Sequence, residues 1–342
     1  MTLADIRDRI RTRVVGRERE LDLVLAAVAA GRDILLEGPP GTSKSTLLRA
    51  ITAEWGIPLM FVEGNADLTP ARLVGHHNPA RVLREDYSAD NFVDGPLVEA
   101  MRTGGFLYIE EFNRAPEDTL NTLLTAMAER RIAVPRAGEV AARDTFRVIA
   151  SMNPYDNIGT TRLSTSVHDR LCRLAITYQD DEAERGIVAL RAPLPDLKPA
   201  VYDRLVADAV AVTRATRVHE DIRQGSSVRG AIDLTLIAGQ LRALDGWMGS
   251  PPAGGPGGYR GAGSPLIGGS GGAVPPEGTP PPEAAETRYR DVVYDAMVVA
   301  LSGRIFLDET VESTPEQVLR QIWEDHFFLQ QSNLDPATAP PG

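Results

Sequence analysis

Residues 38–45 read Gly-Pro-Pro-Gly-Thr-Ser-Lys-Ser, between the apolar run Ile34–Leu36 and the helix-patterned stretch Thr46–Trp55. This order of strand, loop and helix is that of the phosphate-binding loop G-x-x-x-x-G-K-[ST], with Ser43 at the position of the usual second glycine. Backbone N–H groups of a tight loop and a helix N-terminus form a cradle for anions. The sequence therefore predicts a strand–loop–helix unit that binds a nucleoside triphosphate with magnesium.

Two side chains of this loop have separate expected roles. Lys44 is predicted to reach the outer phosphates, and the hydroxyl of Ser45 is predicted to be a ligand of Mg²⁺. The residues assigned to nucleotide binding here are Gly38, Pro39, Pro40, Gly41, Thr42, Ser43, Lys44, Ser45 and Thr46.

The composition excludes several classes of protein. The chain of 342 residues is 43% hydrophobic and 24% charged, which is typical of a soluble protein with two domains. Its net charge of −11 argues against a general nucleic-acid clamp, and no apolar stretch is long enough to span a membrane. The single cysteine, Cys172, provides no disulfide framework and is predicted to be a small core residue. A cytoplasmic location is expected.

Short apolar segments alternate with helical patterns over the first half of the chain. Strands are predicted at residues 33–37, 59–63, 106–110, 147–151 and 174–178. Near-continuous apolar runs are typical of a parallel sheet that is covered on both faces. The fold class predicted for residues 1–180 is therefore α/β, a doubly wound parallel-sheet nucleotide-binding domain.

The second half of the chain, residues 181–342, shows helical patterns alone and is predicted to be a small all-helical domain. Residues 249–286 interrupt it with a stretch dominated by Gly, Pro and Ser, which is predicted to be a disordered insertion. A loop insertion and a partner-binding segment are both consistent with this composition. The tail, residues 335–342, is expected to be frayed.

A second motif indicates which residues bind magnesium and orient water. Residues 106–111, Phe-Leu-Tyr-Ile-Glu-Glu, form an apolar strand that ends in two acids, as in a Walker B strand. Glu110 is predicted to hold magnesium and Glu111 to orient the attacking water. Aspartate is the usual first acid, and the extra methylene of Glu110 predicts a weaker or water-mediated metal contact. A third apolar strand ends at Asn153, whose amide is suited to contact a γ-phosphate.

Seven short motifs together resemble those of AAA+ ATPases, and more narrowly of the MoxR group, which is related to the AAA+ subunit of magnesium chelatase. They extend over roughly residues 14–310 and are found at residues 14–18, 37–45, 95–97, 109–116, 152–154, 169–171 and 226–230.

The resemblance implies roles for residues outside the phosphate loop. Asn153 matches sensor 1, Arg229 matches sensor 2, and Arg170 matches the arginine finger that acts on the nucleotide of a neighbouring subunit. Val15 and Gly16 would lie against the adenine. Arg114 is a candidate for holding the water-orienting acid or for facing the neighbouring subunit.

Two insertions typical of the group are also expected. Residues 67–94 fit the insertion after the second strand, and residues 131–143 fit a β-hairpin with its tip near residues 137–138. Hairpins at this place in the family commonly face the ring pore or a client. The adjacent His76 and His77 lack nearby ligand partners, so they do not indicate a metal site.

The expected function is that of an ATP-hydrolysing, chaperone-like remodelling ATPase that works as a ring, expected to be a hexamer. The resemblance implies a partner protein, often with a von Willebrand factor A domain, and an outcome such as metal or cofactor insertion. Two alternatives stay open: a nucleic-acid motor or loader on the same core, and an ATP-dependent scaffold with little turnover.

Overall fold

The computed structural model describes residues 2–85, 89–134, 136, 138–154, 163–244 and 282–329. The chain divides into two compact units, Met1–Gly186 and Ile187–Gly342. Most of the Gly/Pro-rich segment and the whole tail at 335–342 lie outside the described residues. The end of that segment was predicted wrongly, because residues 282–286 form the first turns of a helix that begins at Pro282.

The first unit alternates helices with strands. Its helices are α1 (Leu3–Arg11), α2 (Glu18–Ala29), α3 (Lys44–Trp55), α4 (Pro70–Val74), α5 (Pro79–Glu85), α6 (Pro96–Thr103), α7 (Glu117–Glu129) and α8 (Thr165–Arg170), and α9 (Asp181–Arg191) begins in it. Its strands are β1 (Ile34–Glu37), β2 (Leu59–Glu63), β3 (Gly75–His77), β4 (Phe92–Asp94), β5 (Phe106–Glu110), β6 (Arg131–Val134), β7 (Gly138–Ala141), β8 (Arg147–Met152) and β9 (Cys172–Ala175).

Five of these strands form one sheet in the order β2-β5-β8-β1-β9, and all neighbours are parallel. The doubly wound parallel sheet that the sequence predicts is therefore confirmed. Alternate residues of β1 belong to different cores: Leu35 packs in one apolar cluster, whereas Ile34 and Leu36 pack in the other. Helix α3, which follows the phosphate loop, places Leu47 and Ile51 in the second cluster and so covers that face.

The edge strands differ from the central three. Strands β1, β5 and β8 are almost wholly buried, while β2 is partly exposed and β9 mostly exposed, because each has a neighbour on one side alone. The last strand begins two residues earlier than predicted and starts at Cys172. This cysteine is exposed, so its prediction as a core residue is wrong.

Both insertions have regular structure. Strands β3 and β4 pair antiparallel within the first insertion, next to α4 and α5. Strands β6 and β7 pair antiparallel as the predicted hairpin, with Val134 opposite Gly138. Residue 137, at the predicted tip, lies outside the described residues.

The second unit consists of α10 (Pro199–Ala215), α11 (Val228–Ala243), α12 (Pro282–Leu301) and α13 (Pro315–Glu324), with a π-helical turn at Asp325–Leu329. Their apolar faces share one core that includes Leu234, Met297 and Leu319. A short antiparallel pair, β10 (Ile222–Gln224) and β11 (Phe306–Leu307), corrects the expectation of helices alone. No helix in the described part of the chain is long and apolar enough to cross a membrane.

Candidate functional site

Three motif-bearing strands are neighbours in the sheet. Strand β8 lies between β5 and β1, and the strands run in the same direction. Because the carboxyl ends of parallel strands share one edge, the phosphate loop after β1, Glu110 at the end of β5 and Asn153 after β8 lie at that edge. The backbone joins two of them directly, since the N–H of Gly38 donates to the carbonyl oxygen of Met152 at 3.1 Å.

The phosphate loop is held together by its own lysine. Nζ of Lys44 donates to the carbonyl oxygens of Gly38 at 2.8 Å and Pro39 at 2.9 Å. Gly38 packs so closely on the next strand that a Cβ there would lie 2.1 Å from the carbonyl oxygen of Ile176. The loop therefore requires glycine at its first position for a steric reason.

Ser43 has a left-handed backbone with φ of 66°, which explains why glycine is usual at this position. Its hydroxyl accepts a hydrogen bond from Nε2 of Gln179 at 3.4 Å, and the same nitrogen donates to the carbonyl oxygen of Val15 at 3.3 Å. Gln179 thus connects the phosphate loop to the segment that the sequence assigns to adenine.

The Val15–Gly16 turn is held by contacts with the segment that contains Thr177, Gln179 and Ala183. Gly16 has φ of 64°, and a Cβ there would lie 2.4 Å from the Cβ of Ala183. The buried guanidinium of Arg17 donates to the carbonyl oxygen of Thr177 at 2.6 Å and to Oε1 of Gln179 at 3.0 Å. Burial lowers the pKa of Arg17, while Glu20, 2.8 Å away, favours its charged form.

Ser45 and the first acid are in direct contact. The hydroxyl of Ser45 donates to Oε1 of Glu110 at 2.8 Å, so the longer glutamate side chain reaches the phosphate loop. The hydroxyl of Tyr108 lies 3.2 Å from Oγ of Ser45 and 2.9 Å from Oγ of Ser151. Burial raises the pKa of Tyr108 to about 12, so this hydroxyl is neutral at ordinary pH.

These oxygen groups fit a magnesium ion. Mg²⁺ takes oxygen ligands and is usually bound through one or two protein groups together with phosphates of the substrate. The hydroxyl of Ser45 and the carboxylate of Glu110 supply such groups beside the loop that would hold those phosphates.

The second acid has a special backbone. Glu111 adopts φ of 53°, a left-handed conformation that is uncommon for residues with a side chain. Gly64 allows this turn, because a Cβ there would lie 2.2 Å from the carbonyl oxygen of Glu111. In the described structure Oε2 of Glu111 is buried and has no hydrogen bond, although Nε of Arg114 lies 3.3 Å from it as an ion-pair partner. The strain and the buried oxygen together favour a functional carboxylate.

Asn153 is buried at 8% exposure, directly after β8. Its carbonyl oxygen accepts a hydrogen bond from Nδ2 of Asn113 at 3.4 Å, which ties the end of β8 to the turn after Glu111. Asn113 is also buried. It lies two residues after Glu111, and nothing in the local sequence predicts its contact with Asn153.

Arg170 lies at the other edge of the sheet. It ends α8 just before β9, whose first residue, Cys172, is level with Ile34 at the start of β1. The phosphate loop follows the far end of β1, about 13 Å away at about 3.3 Å per residue. The exposed guanidinium of Arg170 donates to Oγ of Ser166 at 2.7 Å and lines a cavity of about 490 Å³. Arg32, Arg130 and Arg147 line the same cavity.

Arg229 belongs to the second unit, where it is the second residue of α11. Its backbone N–H donates to the hydroxyl of Ser227, which caps this helix, and its carbonyl oxygen accepts from Arg304. Its assignment as sensor 2 stays a prediction.

Residues 33–171 match the AAA domain of the dynein-related subfamily, and this range contains both acids, Asn153 and Arg170. Over this range the chain is similar to AAA domains. The match confirms the resemblance that the motifs indicate, and it includes every strand of the central sheet except β9, which begins directly after it at Cys172. An AAA domain binds and hydrolyses ATP, so the ligand and the reaction predicted from the phosphate loop are those of the family.

Two curated proteins and one solved structure are similar to this chain. The chain is 29% identical to the Bacillus subtilis protein YojN, over 66% of this chain and 75% of that protein. It is 27% identical to the gas vesicle ATPase GvpN of Ancylobacter aquaticus, over 69% of this chain and 70% of that protein. The structure of NtrX from Brucella abortus in complex with ADP is similar at 22% identity, with a TM-score of 0.45, over 69% of this chain and 52% of that one.

The sequence analysis did not predict two residues at the nucleotide edge, Tyr108 and Gln179. Tyr108 carries a signal, because it places a hydroxyl inside an apolar strand two residues before an acid. Gln179 carries none, since it lies 136 residues from Ser43 and nothing local indicates that the two side chains meet.

Proposed function

We propose that the protein is a ring-forming remodelling ATPase of MoxR type, which uses ATP hydrolysis to act on a partner protein. The arrangement of the carboxyl edge supports this most directly: a phosphate loop, two acids and a buried asparagine follow three adjacent strands. Together these groups can hold a triphosphate, orient a water molecule and sense the γ-phosphate.

In this proposal Lys44 exchanges the loop carbonyl oxygens for phosphate oxygens when ATP binds. Ser45 and Glu110 hold Mg²⁺, which when bound would neutralise charge on the β- and γ-phosphates. Glu111 accepts a hydrogen bond from the attacking water and directs its lone pair at the γ-phosphorus. Arg114, 3.3 Å from Glu111, keeps this carboxylate in place.

Arg170 requires a second copy of the chain. Its position at the opposite edge of the sheet prevents it from reaching the nucleotide of its own subunit, which supports its assignment as an arginine finger in trans. An arginine finger contributes about 10³–10⁵-fold to the rate. The active form is therefore proposed to be a ring, a hexamer by resemblance, in which Arg229 acts from the second unit.

The contacts favour this reading over both alternatives. A scaffold with little turnover was conceivable because of Glu110, yet its carboxylate lies within hydrogen-bond distance of Ser45. A nucleic-acid motor needs a basic hairpin, but Arg131 of the hairpin lies 3.5 Å from Glu139 on the facing strand.

Mixing two inactive variants tests the intersubunit site. Glu111→Gln should reduce ATP hydrolysis about 10²–10⁴-fold by removing the group that takes the water's proton. Arg170→Ala should reduce it at least about 10³-fold. Mixed rings should regain activity, because a Glu111→Gln subunit supplies its Arg170 to the site of an adjacent Arg170→Ala subunit, which keeps Glu111.

Arg191→Ala, an exposed arginine at the end of α9, is the matched control and should keep the wild-type rate. A wild-type rate no higher than that of Glu111→Gln would exclude hydrolysis and leave the scaffold. If the single variants are inactive and their mixture is as well, Arg170 does not act in trans.

The client is proposed to be a protein with a von Willebrand factor A domain, and its maturation by metal or cofactor insertion the outcome. Such a protein encoded beside this one should copurify with Glu111→Gln in the presence of ATP and dissociate with ADP. Stimulation of the ATPase by nucleic acid and not by this protein would instead support the motor.

A further inference from the structure

Tyr108 is a tyrosine in the middle of the apolar strand β5, and its side chain is fully buried. Its ring packs with the same apolar cluster as Phe106 and Ile149, on the face that α3 covers. A phenylalanine could supply this packing equally well, so packing alone does not explain the hydroxyl group. A buried hydroxyl without partners destabilises the fold, and partners are available here.

The hydroxyl of Tyr108 contacts three side chains from three different elements. It lies 2.9 Å from Oγ of Ser151 on β8, 3.2 Å from Oγ of Ser45 on α3, and 3.4 Å from Oε1 of Glu110. Tyr108 and Glu110 are two residues apart on one strand and therefore project from the same face of the sheet. The three partners are thus gathered around one oxygen.

The hydrogen bonds of this group can run in one direction. Ser45 donates to the carboxylate of Glu110, the acceptor that cannot itself donate when it is ionised. The oxygen of Ser45 then accepts from Tyr108, and the oxygen of Tyr108 accepts from Ser151. In such a chain the hydroxyls of Ser45 and Tyr108 each donate once and accept once, and consecutive hydrogen bonds of this kind strengthen one another.

This arrangement fixes the oxygen that would bind the metal. With its proton directed at Glu110 and one lone pair occupied by Tyr108, Oγ of Ser45 keeps one lone pair for a cation. Glu110 has one more torsion than the usual aspartate, and the hydrogen bond from Ser45 restricts it. The hydroxyl of Tyr108 touches both groups that are assigned to magnesium.

We propose that Tyr108 is a positioning residue for the magnesium site, holding Ser45 and Glu110 in the orientation that binds the Mg²⁺–nucleotide complex. Ser151 anchors Tyr108 from the neighbouring strand. This inference rests on the proposed magnesium-dependent nucleotide site, and it adds to it a residue that is neither a metal ligand nor a member of the phosphate loop.

Tyr108→Phe removes the hydroxyl alone and keeps the ring. Binding of fluorescent N-methylanthraniloyl-ADP to the full-length protein is measured over a series of Mg²⁺ concentrations and in EDTA. The variant should need about five-fold more Mg²⁺ for half-maximal binding, the effect expected from one lost hydrogen bond. Its affinity in EDTA should equal that of the wild type, because the phosphate loop is unchanged.

Two further variants make the result specific. Ser151→Ala should shift the Mg²⁺ midpoint in the same direction by a smaller factor, since Tyr108 then loses one anchor. Tyr202→Phe is the matched control in the second unit: it removes a hydroxyl that donates to the carbonyl oxygen of Ala192 at 3.0 Å, and it should not move the midpoint.

The possible failures can be told apart. If the wild type binds the nucleotide without any dependence on Mg²⁺, the proposed magnesium site itself is wrong. If the wild type depends on Mg²⁺ and Tyr108→Phe has the same midpoint, the inference is overturned, even where the melting temperature falls. Should Tyr108→Phe not fold, an unchanged midpoint for Ser151→Ala overturns it instead.

Discussion

The nucleotide edge of the first unit and the α10–α12 contact of the second unit are both polar, but they differ in how well their groups are satisfied. At the nucleotide edge Ser43 and Glu111 have left-handed backbones, and Oε2 of Glu111 is buried without a hydrogen bond. In the second unit Arg204 binds both carboxylate oxygens of Glu286, at 2.7 and 2.6 Å.

The second unit continues this pattern around Asp208. Its two carboxylate oxygens lie 2.6 Å from the hydroxyl of Tyr289 and 2.9 Å from Nε2 of His326. The guanidinium of Arg204 also stacks 4.2 Å from the ring centre of Tyr289. Polar residues that are hydrogen-bonded in this way hold helices together, whereas backbone strain and a buried carboxylate oxygen without a hydrogen bond are typical of a functional site.

The largest expected effect on nucleotide affinity is at Lys44. Lys44→Ala should weaken ATP binding about 10²-fold, because two charge-assisted contacts with phosphates are lost. The melting temperature should change little by comparison, since the lysine donates to carbonyl oxygens of its own loop. Equilibrium binding of a fluorescent ATP analogue measures the first effect and thermal unfolding the second.

The chain offers a matched control, because Lys198 is its only other lysine and is exposed. Lys198→Ala should leave ATP binding unchanged. Equal losses for the two variants would mean that the charge of the protein, and not the loop, determines the affinity.

Asp208→Asn should have the opposite effect to Lys44→Ala: it should lower the stability and leave nucleotide binding nearly unchanged. An amide cannot accept from Tyr289 and His326 as the carboxylate does, so we expect a loss of about 1–3 kcal/mol in the free energy of unfolding. Nucleotide affinity should stay within about two-fold of wild type, as the change leaves the phosphate loop intact. Urea unfolding followed by circular dichroism gives the stability, with Asp203→Asn, an exposed aspartate on the same helix, as the neutral comparison. A loss of ATP binding in Asp208→Asn would break the distinction between the two regions.

The smallest expected effect is a dependence of stability on pH. The hydrogen bonds from Arg204, followed by that from Arg290, lower the pKa of Glu286 from its ordinary value of 4.5 to about 2. Because the pKa is lower in the folded state, the stabilisation is fully present above about pH 4.5 and is lost as the pH falls towards 2. The urea midpoint of Glu286→Gln should therefore differ from wild type at pH 6 and approach it near pH 2.5. A difference that is constant over this range would show that the ion pair contributes nothing through charge.

Much of the nucleotide edge could be predicted because its signals are local. The phosphate loop is eight consecutive residues, and Glu110 and Glu111 end an apolar strand, so pattern and position suffice to place each on its element. Cys172 was predicted wrongly because an apolar neighbourhood along the chain does not reveal that β9 is an edge strand. The contact of Gln179 with Ser43 depends on how distant segments pack.

The sequence by itself determined the class of fold and indicated the ligand and the residues that are proposed to bind it, since these depend on short motifs and on the periodicity of apolar residues. The tertiary structure alone decided that β8 separates β5 from β1, that Tyr108 joins Ser45 to Ser151, and that Arg170 lies at the opposite edge from the phosphate loop. The physical reason is that strand order and side-chain contacts between strands are set by packing over more than a hundred residues of chain, which no local pattern encodes.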